Sequence, residues 1–154
     1  MRVERAMTKN VFTCLAHQTL EQAARTMWEA DIGCLVVIDD DRRPIGMITD
    51  RDIAMAAYTQ GVALRDALIG SAMSQKVISA KPDTRLGELE SLMQAEQVRC
   101  VPVIEPNGTL VGIVTLGDLA RTAQAGPLGI PAIPGVAKTL RSVSERRKEG
   151  RVAS

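Results

Sequence analysis

Apolar and polar positions predict three strands and two helices in the first part of this chain. A short β-prone run covers residues 11–14, and apolar residues then recur at helical spacing over 20–27. Residues 34–38 are continuously apolar, as in a strand covered on both faces, and residues 44–49 form a further strand. The pattern predicts that a second helix begins at Asp50.

Local signals predict where these elements begin and end. Thr19 offers an N-cap to the first helix, and Gln22 completes a capping box. Gly33 is predicted to end that helix in the left-handed conformation, which glycine adopts without strain. The polar run 39–43 is short enough to join the last two strands as an antiparallel hairpin.

The same order of elements returns further along the chain. The second copy is predicted to contain strands at 77–80, 101–104 and 110–115, a helix over 86–97, and a helix from Leu116.

Two shorter features complete this second copy and its connection to the first. Asn107-Gly108 predicts a tight turn between its last two strands. Residues 58–72 join the copies, with a short helix predicted over 62–68.

A direct comparison of the two copies supports a duplication. When the chain is shifted by 66 residues, 13 of 52 aligned pairs are identical. Average residue usage would give about three or four identities by chance. The identities that carry a thiol, a hydroxyl or a carboxylate are Cys34/Cys100, Thr49/Thr115 and Asp52/Asp118.

The fold class follows from this repeat. Neither half has enough helix to cover a three-stranded sheet by itself, so the two halves are expected to pack together. We therefore predict an α+β fold of tandem β-α-β-β-α repeats related by a pseudo-twofold axis. The expected boundaries are 6–60 and 73–124 for the repeats, 61–72 for the linker, and 125–154 for a Pro/Gly-rich and then basic tail.

Composition and charge exclude several classes of protein. With 45% hydrophobic and 24% charged residues, the 154-residue chain is typical of a globular domain. Its net charge of +1 and its three aromatic residues argue against a nucleic-acid partner. No apolar run approaches a membrane span, and no signal core follows the N-terminus. We therefore expect a cytoplasmic protein with no membrane partner.

The residues that usually carry catalysis or bind metal are sparse. Three cysteines without a CxxC motif argue against a zinc site or a disulfide framework. The one histidine, His17, is expected to be a solvated loop residue. No nucleophile–base pair or phosphate-binding GxxxxGK motif occurs, so the chain is predicted not to be an enzyme and to need no metal.

A polar element recurs where the last strand of each copy leads into a helix. It runs from Gly46 to Asp52 and from Gly112 to Asp118, each with the pattern Gly-apolar-apolar-Thr-x-x-Asp. Thr-x-x-Asp is a capping box, in which the acid reaches back to the threonine N–H. The same geometry also suits a ligand, because a helix N-terminus attracts phosphate and a carboxylate can accept hydrogen bonds from a ribose diol. Arg51 could add a cationic contact to phosphate, whereas Gly117 replaces it in the second copy.

The chain resembles a cystathionine-β-synthase (CBS) domain pair, or Bateman module. The resemblance rests on these two elements and on Met7-Thr8 and Met73-Ser74 ahead of the first strands. The resemblance implies adenosine-containing ligands in clefts between the halves, with ribose and phosphate contacts at Thr49, Asp52, Thr115 and Asp118. It also implies adenine contacts, partly through backbone groups, from Thr13, Cys14, Gly33 and Cys34 in one site and Ser79, Ala80, Arg99 and Cys100 in the other.

The expected function is a non-catalytic sensor. Its regulatory ligand would be an adenine nucleotide, with AMP or ATP favoured, and no other cofactor would be required. The resemblance implies a homodimer through the repeat helices, where the Ala-rich stretch 53–57 would allow close approach, and a separate effector protein. The alternatives are a ligand-free interaction module and a thiol-based redox regulator, in which Cys34 and Cys100 approach across the pseudo-twofold axis.

Overall fold

A computed structural model describes residues 1–124 and 139–140 of the chain. The first repeat contains β1 (Thr13–Cys14), α1 (Leu20–Ala30), β2 (Cys34–Ile38), β3 (Pro44–Thr49) and α2 (Asp50–Gln60). Its sheet has the order β1-β2-β3, with β1 parallel and β3 antiparallel to β2. The predicted run 11–14 is thus a strand only over its last two residues.

The second repeat contains α3 (Leu86–Glu96), β4 (Cys100–Ile104), β5 (Leu110–Thr115) and α4 (Leu116–Gln124). Its hairpin β4–β5 has the same antiparallel register as β2–β3, since Cys100 pairs with Thr115 as Cys34 pairs with Thr49. The predicted strand 77–80 is reduced to a bridge between Ala80 and Val103. The α+β repeat architecture predicted from the sequence is confirmed.

The ends of α1 show one correct prediction and one error. Thr19 accepts a hydrogen bond from the Gln22 N–H, and the Gln22 side chain returns to the Thr19 N–H, which completes the predicted capping box. The left-handed residue at the other end is Asp31, with φ 53°, and not Gly33. The helix closes two residues earlier than predicted because the Ile32 N–H already bonds to the Met27 carbonyl at 3.0 Å. Aspartate is among the few residues that visit this conformation at low cost.

Each repeat is completed by a segment that precedes the other repeat in the chain. Val3 is fully buried in the core of the second repeat, against which Ala6 and Met7 also pack. Correspondingly, Ala67 and Ile69 belong to the core of the first repeat. Each fully buried aliphatic side chain of this kind contributes about 1.5–3 kcal/mol, so the two repeats depend on each other for stability.

The two segments that cross between the repeats also pair through their backbones with the last strand of each hairpin. Thr8 forms an antiparallel bridge to Ile113, and Ser74 forms the equivalent bridge to Met47. Next to these bridges, Met7 covers Gly112 and Met73 covers Gly46. A Cβ atom on Gly46 would lie 2.7 Å from the Met73 sulfur and 2.9 Å from the Ser74 carbonyl oxygen, so the crossing requires glycine.

A third apolar cluster lies between the two repeats. Val36, Leu110 and Ile113 are buried in it, and Cys34 and Cys100 pack against them. The two sheets therefore meet through β2 and β5, with the first residues of β2 and β4 packed against this contact. Because Cys34 and Cys100 pair with Thr49 and Thr115, both strand-to-helix junctions lie next to it.

The remaining predictions concern the linker and the tail. The linker contains two 3₁₀ turns, Leu64–Asp66 and Ile69–Ser71, in place of the helix predicted over 62–68. The predicted tail lies outside the described residues, except for residues 139–140. Among the described helices, none has both the length and the apolar character needed to cross a bilayer.

Candidate functional site

The first strand-to-helix junction is closed by a capping box. The Thr49 N–H donates to Asp52 Oδ2 at 3.0 Å, and the Asp52 N–H donates to Thr49 Oγ1 at 3.1 Å. These two bonds satisfy donors at the start of α2 that have no partner within the helix. Asp52 is half-buried, and within the described residues its second oxygen, Oδ1, has no hydrogen-bond partner.

The second junction has the same cap with additional bonds. The Thr115 N–H donates to Asp118 Oδ2 at 2.7 Å, and the Asp118 N–H donates to Thr115 Oγ1 at 3.2 Å. Asp118 Oδ1 also accepts a bond from the Thr8 hydroxyl at 3.2 Å and an ion-paired bond from Arg121. Asp118 is only 4% exposed, and both of its oxygens are engaged.

The capping-box prediction is therefore confirmed at both junctions. The two sites nevertheless differ at the oxygen that a ligand would need. The positions equivalent to Arg121 and Thr8 are Met55 and Ser74. Methionine cannot donate to a carboxylate, and the Ser74 hydroxyl bonds to the Lys76 carbonyl. The carboxylate of Asp52 thus retains an acceptor that Asp118 has lost.

Backbone bonds tie the start of each hairpin to the start of the following helix. The Asp50 N–H donates to the Gly33 carbonyl, and the Leu116 N–H donates to the Arg99 carbonyl, both at 3.0 Å. The predicted adenine contacts at Gly33 and Arg99 would therefore have to share these carbonyls with a backbone bond, since each carbonyl oxygen has a second lone pair. The Arg51 side chain is exposed beside the first cap.

Most of the residues predicted to contact adenine at the first strand of each repeat are already paired through their backbones with a neighbouring strand. Thr13 and Cys14 pair with Val36 and Val37. In the second repeat the Ala80 N–H and carbonyl bond to Pro102 and Ile104, while Ser79 is half-buried beside it. Burial raises the pKa of the Cys14 thiol to about 11, so it stays protonated near neutral pH.

The structure brings Cys34 and Cys100 together between the repeats. Both pack against the cluster of Val36, Leu110 and Ile113, and each cysteine pairs across its hairpin with a cap threonine. The hydrogen bond from Cys100 lowers the pKa of the Cys34 thiol, against the opposing effects of burial and of the Asp50 and Asp118 charges. The same bond, together with burial, raises the pKa of Cys100. The expected approach of these thiols across the pseudo-twofold axis agrees with this contact.

Two cavities border the first repeat. One, of about 250 Å³, is lined by Lys9, Asn10, Val11, Phe12 and Arg42. The other, of about 410 Å³, lies along α1 and α2 and includes Met27, Trp28, Ile32 and Ile53 in its lining. The first offers two cations and an aromatic face, and the second is mainly apolar.

Sequence reasoning missed two residues at the second cap. Thr8 reaches Asp118 only because the N-terminal segment pairs with β5, a contact between residues 110 positions apart. Arg121 lies one helical turn after Asp118, so an i,i+3 ion-pair search on α4 would have found it. Within residues 1–124 and 139–140, no group of three or more His, Cys, Asp or Glu residues is placed to hold a metal ion.

Comparisons with known proteins agree with this architecture. A family model described as CBS domain matches residues 3–58 and 69–124. The CBS domain-containing protein YhcV of Bacillus subtilis is 38% identical over 120 residues, which cover 77% of this chain and 82% of that protein. The match to the uncharacterized protein MK0525 of Methanopyrus kandleri, 33% identical, spans 57% of that protein's length.

Two solved structures are similar over most of this chain. The CBS domain pair of protein MJ0100, in complex with 5′-methylthioadenosine and S-adenosyl-L-methionine, is 26% identical with a TM-score of 0.72 and covers 79% of this chain and 94% of that one. Hypoxic Response Protein I with two coordinated zinc ions is 36% identical with a TM-score of 0.71 and covers 79% of this chain and 98% of that one.

Proposed function

This chain belongs to the CBS domain family and carries the domain twice, and from that premise we propose that it is a non-catalytic regulatory module. In this proposal, an adenosine-containing ligand binds at the first strand-to-helix junction. Binding shifts the arrangement of the repeats, and an effector protein detects the change. A coupling of about 1–3 kcal/mol is the usual size for such regulation.

The free acceptor on Asp52 is the observation that carries this proposal. A ribose diol needs a carboxylate that is not saturated, and Asp52 has one oxygen left after it caps α2. Asp118 has both oxygens occupied by Thr115, Thr8 and Arg121. We therefore propose one ligand for each chain, held by Thr49 and Asp52.

The nature of the ligand follows from the charges around the first repeat. Arg51 is exposed at the N-terminus of α2, where the helix dipole also favours an anion. Lys9 and Arg42 add further cations to the first repeat, in the lining of the cavity of about 250 Å³ at the turn end of the β2–β3 hairpin. These cations support AMP or ATP over an uncharged nucleoside. The MJ0100 structure supports the adenosine part, since that CBS domain pair holds two adenosine derivatives.

Isothermal titration with AMP, ATP, S-adenosylmethionine and adenosine tests the proposal. The informative variant is Asp52→Asn, because asparagine can still accept the cap bond while it loses the charged second acceptor. Loss of a charge-assisted hydrogen bond worth about 1.5–3 kcal/mol weakens binding roughly tenfold or more. The matched Asp118→Asn variant is expected to change affinity by less than about threefold, or 0.7 kcal/mol. Absence of binding by every one of these compounds to the wild-type chain would contradict the proposal.

We also propose that two copies associate through the outer face of α1 and α2. Trp28 is 88% exposed and Tyr58 is 84% exposed on this face, beside the apolar cavity of about 410 Å³. Exposed apolar surface of this kind marks interaction sites. The equivalent residues of the second repeat are Gln94 and Gln124, and the Gln94 amide bonds to Thr139. The first repeat is therefore the better candidate for self-association.

Sedimentation velocity of the wild type and of Trp28→Gln tests this association. The variant carries the residue that the second repeat has at this position, so it is compatible with the repeat fold. A wild-type dimer that shifts toward monomer in the variant supports the interface. A wild-type chain that is monomeric at all concentrations tested would exclude it.

A further inference from the structure

The two central cysteines form a pair that differs from the third. Cys34 starts β2, Cys100 starts β4, and both pack against Val36, Leu110 and Ile113 in the cluster between the repeats. Their thiols are close enough to perturb each other's ionisation, and both side chains remain partly exposed. Cys14 is 6% exposed in the core of the first repeat, where its thiol contacts the Val36 carbonyl.

The environment gives the paired thiols unequal roles. The Cys100 thiol donates its hydrogen bond to Cys34 and so lowers the pKa of Cys34, although burial and the carboxylates of Asp50 and Asp118 oppose this effect. The pKa of Cys100 is raised by that bond and by burial, with a smaller opposing effect from Arg99. Because the thiolate is the nucleophile, Cys34 is the sulfur that reacts first with an oxidant, and Cys100 stands next to it as the second thiol.

We propose that Cys34 and Cys100 form a reversible disulfide in the presence of a hydroperoxide and thereby cross-link the two repeats. The Cys34 thiolate attacks the peroxide O–O bond, which gives a sulfenic acid and releases hydroxide or alkoxide. The Cys100 sulfur then forms the S–S bond and displaces the sulfenic hydroxyl, which leaves as water with the thiol proton. In sum, two thiols and one hydrogen peroxide give one disulfide and two waters.

The position of the cross-link determines what it would change. Cys34 pairs with Thr49 and Cys100 with Thr115, so the bond joins the strands that carry both helix caps. It would fix the separation of the repeats and, resting on the proposed function, alter access of a nucleotide to the first cap. A loop closed across about one repeat is long, and such a cross-link raises the melting temperature by roughly 5–10 °C in a domain of this size.

The full-length reduced chain is treated with increasing hydrogen peroxide, and its free thiols are counted and its disulfides mapped by mass spectrometry. The expected result is loss of two of the three thiols, with Cys34 linked to Cys100 and full recovery on reduction. Cys14→Ser is the matched control, and it should form the same disulfide. Cys34→Ser and Cys100→Ser should each form no intramolecular disulfide, with circular dichroism confirming that each variant is folded.

Three results would overturn the proposal: retention of all three thiols at peroxide levels that oxidise glutathione, a disulfide that includes Cys14, or oxidation of Cys34 to the sulfinic acid without a disulfide. The wild-type melting temperature supplies a second readout that does not depend on any variant, and an unchanged value after complete cross-linking would contradict the predicted restraint. Because all of these measurements are made without nucleotide, they remain informative if no adenosine compound binds. A parallel titration of reduced and oxidised chain with AMP then tests whether the cross-link acts on the first cap.

Discussion

The two helix caps of this chain contain the same threonine and aspartate yet are in different chemical states. At the second cap, Asp118 is buried and bonded by Thr115, Thr8 and Arg121. At the first cap, Asp52 is half-buried and bonded only within Thr49-x-x-Asp52 among the described residues. Asp118 therefore links the two repeats, whereas Asp52 keeps one carboxylate oxygen without a hydrogen bond within the described residues. A repeated motif therefore does not imply two equivalent sites.

The largest expected difference between the caps is in stability. Asp118→Ala removes the cap bonds and leaves Thr8 and Arg121 without their acceptor, so it should lower the free energy of unfolding by about 2–3 kcal/mol. Asp52→Ala removes a cap alone and should cost about 1 kcal/mol. Urea unfolding followed by circular dichroism measures both values. Equal losses would show that the contacts of Thr8 and Arg121 add nothing to the second cap.

Gly46 and Gly112, which are covered by the segments that cross between the repeats, provide the next comparison. Gly46→Ala would place a methyl group against the Ser74 carbonyl oxygen as well as Met73, whereas the three atoms nearest to a methyl group at Gly112 all belong to the Met7 side chain. Backbone cannot move aside as a flexible side chain can, so Gly46→Ala should lower the free energy of unfolding by about 1–3 kcal/mol. The loss for Gly112→Ala should be smaller. The reverse order in urea unfolding would mean that the two crossings are packed differently from the contacts seen here.

Met55 and Arg121 lie one helical turn after Asp52 and Asp118, and exchanging these two residue types tests the proposed difference in nucleotide binding between the two sites. Met55→Arg should bring a guanidinium to Asp52 and close the first site, with a loss of nucleotide affinity of about tenfold, or 1.4 kcal/mol. Arg121→Met should remove one of the two donors to Asp118 Oδ1, leave the Thr8 hydroxyl as the other, and allow at most weak binding at the second site. Titration calorimetry with AMP reports affinity and stoichiometry together. Unchanged affinity in Met55→Arg would argue against Asp52 Oδ1 as a ligand contact.

The smallest expected effect concerns a buried acid found in only one repeat. Glu90 on α3 is 5% exposed, and its Oε1 has no hydrogen-bond partner within the described residues, whereas the equivalent residue on α1 is Ala24. Burial raises the pKa of Glu90, which means that its ionised form destabilises the folded chain. The destabilisation is present above the folded-state pKa and disappears as the pH falls below the unfolded value.

Glu90→Gln should therefore raise the free energy of unfolding at pH 7 by up to about 1 kcal/mol, and the gain should vanish in acid. Urea unfolding of both chains at pH 7 and pH 4 measures it. A gain that is independent of pH would indicate a packing effect and not the carboxylate charge.

Local features of the fold were predictable because neighbouring residues determine them. The capping boxes at Thr19, Thr49 and Thr115 each join residues three positions apart, and the prediction was correct in all three. The error at Gly33 has a local cause as well. Asp31 and Gln97 end the first helix of each repeat in left-handed conformations that the glycine rule does not identify.

The candidate site was only partly predictable from the same information. The repeated Thr-x-x-Asp motif identified both acids, and the sequence also showed that Arg51 and Gly117 differ between the copies. It did not show that Thr8 belongs to the second site, because that contact requires the N-terminal segment to cross to the other repeat. The adenine contacts expected from the resemblance stay predictions, since they depend on backbone groups that leave little trace in the side chains.

The sequence by itself determined the duplication, the order of elements and the caps, because these depend on periodicity and on hydrogen bonds between residues close along the chain. The tertiary structure alone decided which segment completes which core, which acid keeps a free oxygen, and that Cys34 and Cys100 pack against the same cluster between the repeats. These outcomes depend on how two nearly equivalent surfaces pack. A difference between the copies, such as Met55 in place of Arg121, changes the hydrogen bonding of a site only in combination with the distant residues that this packing brings into contact.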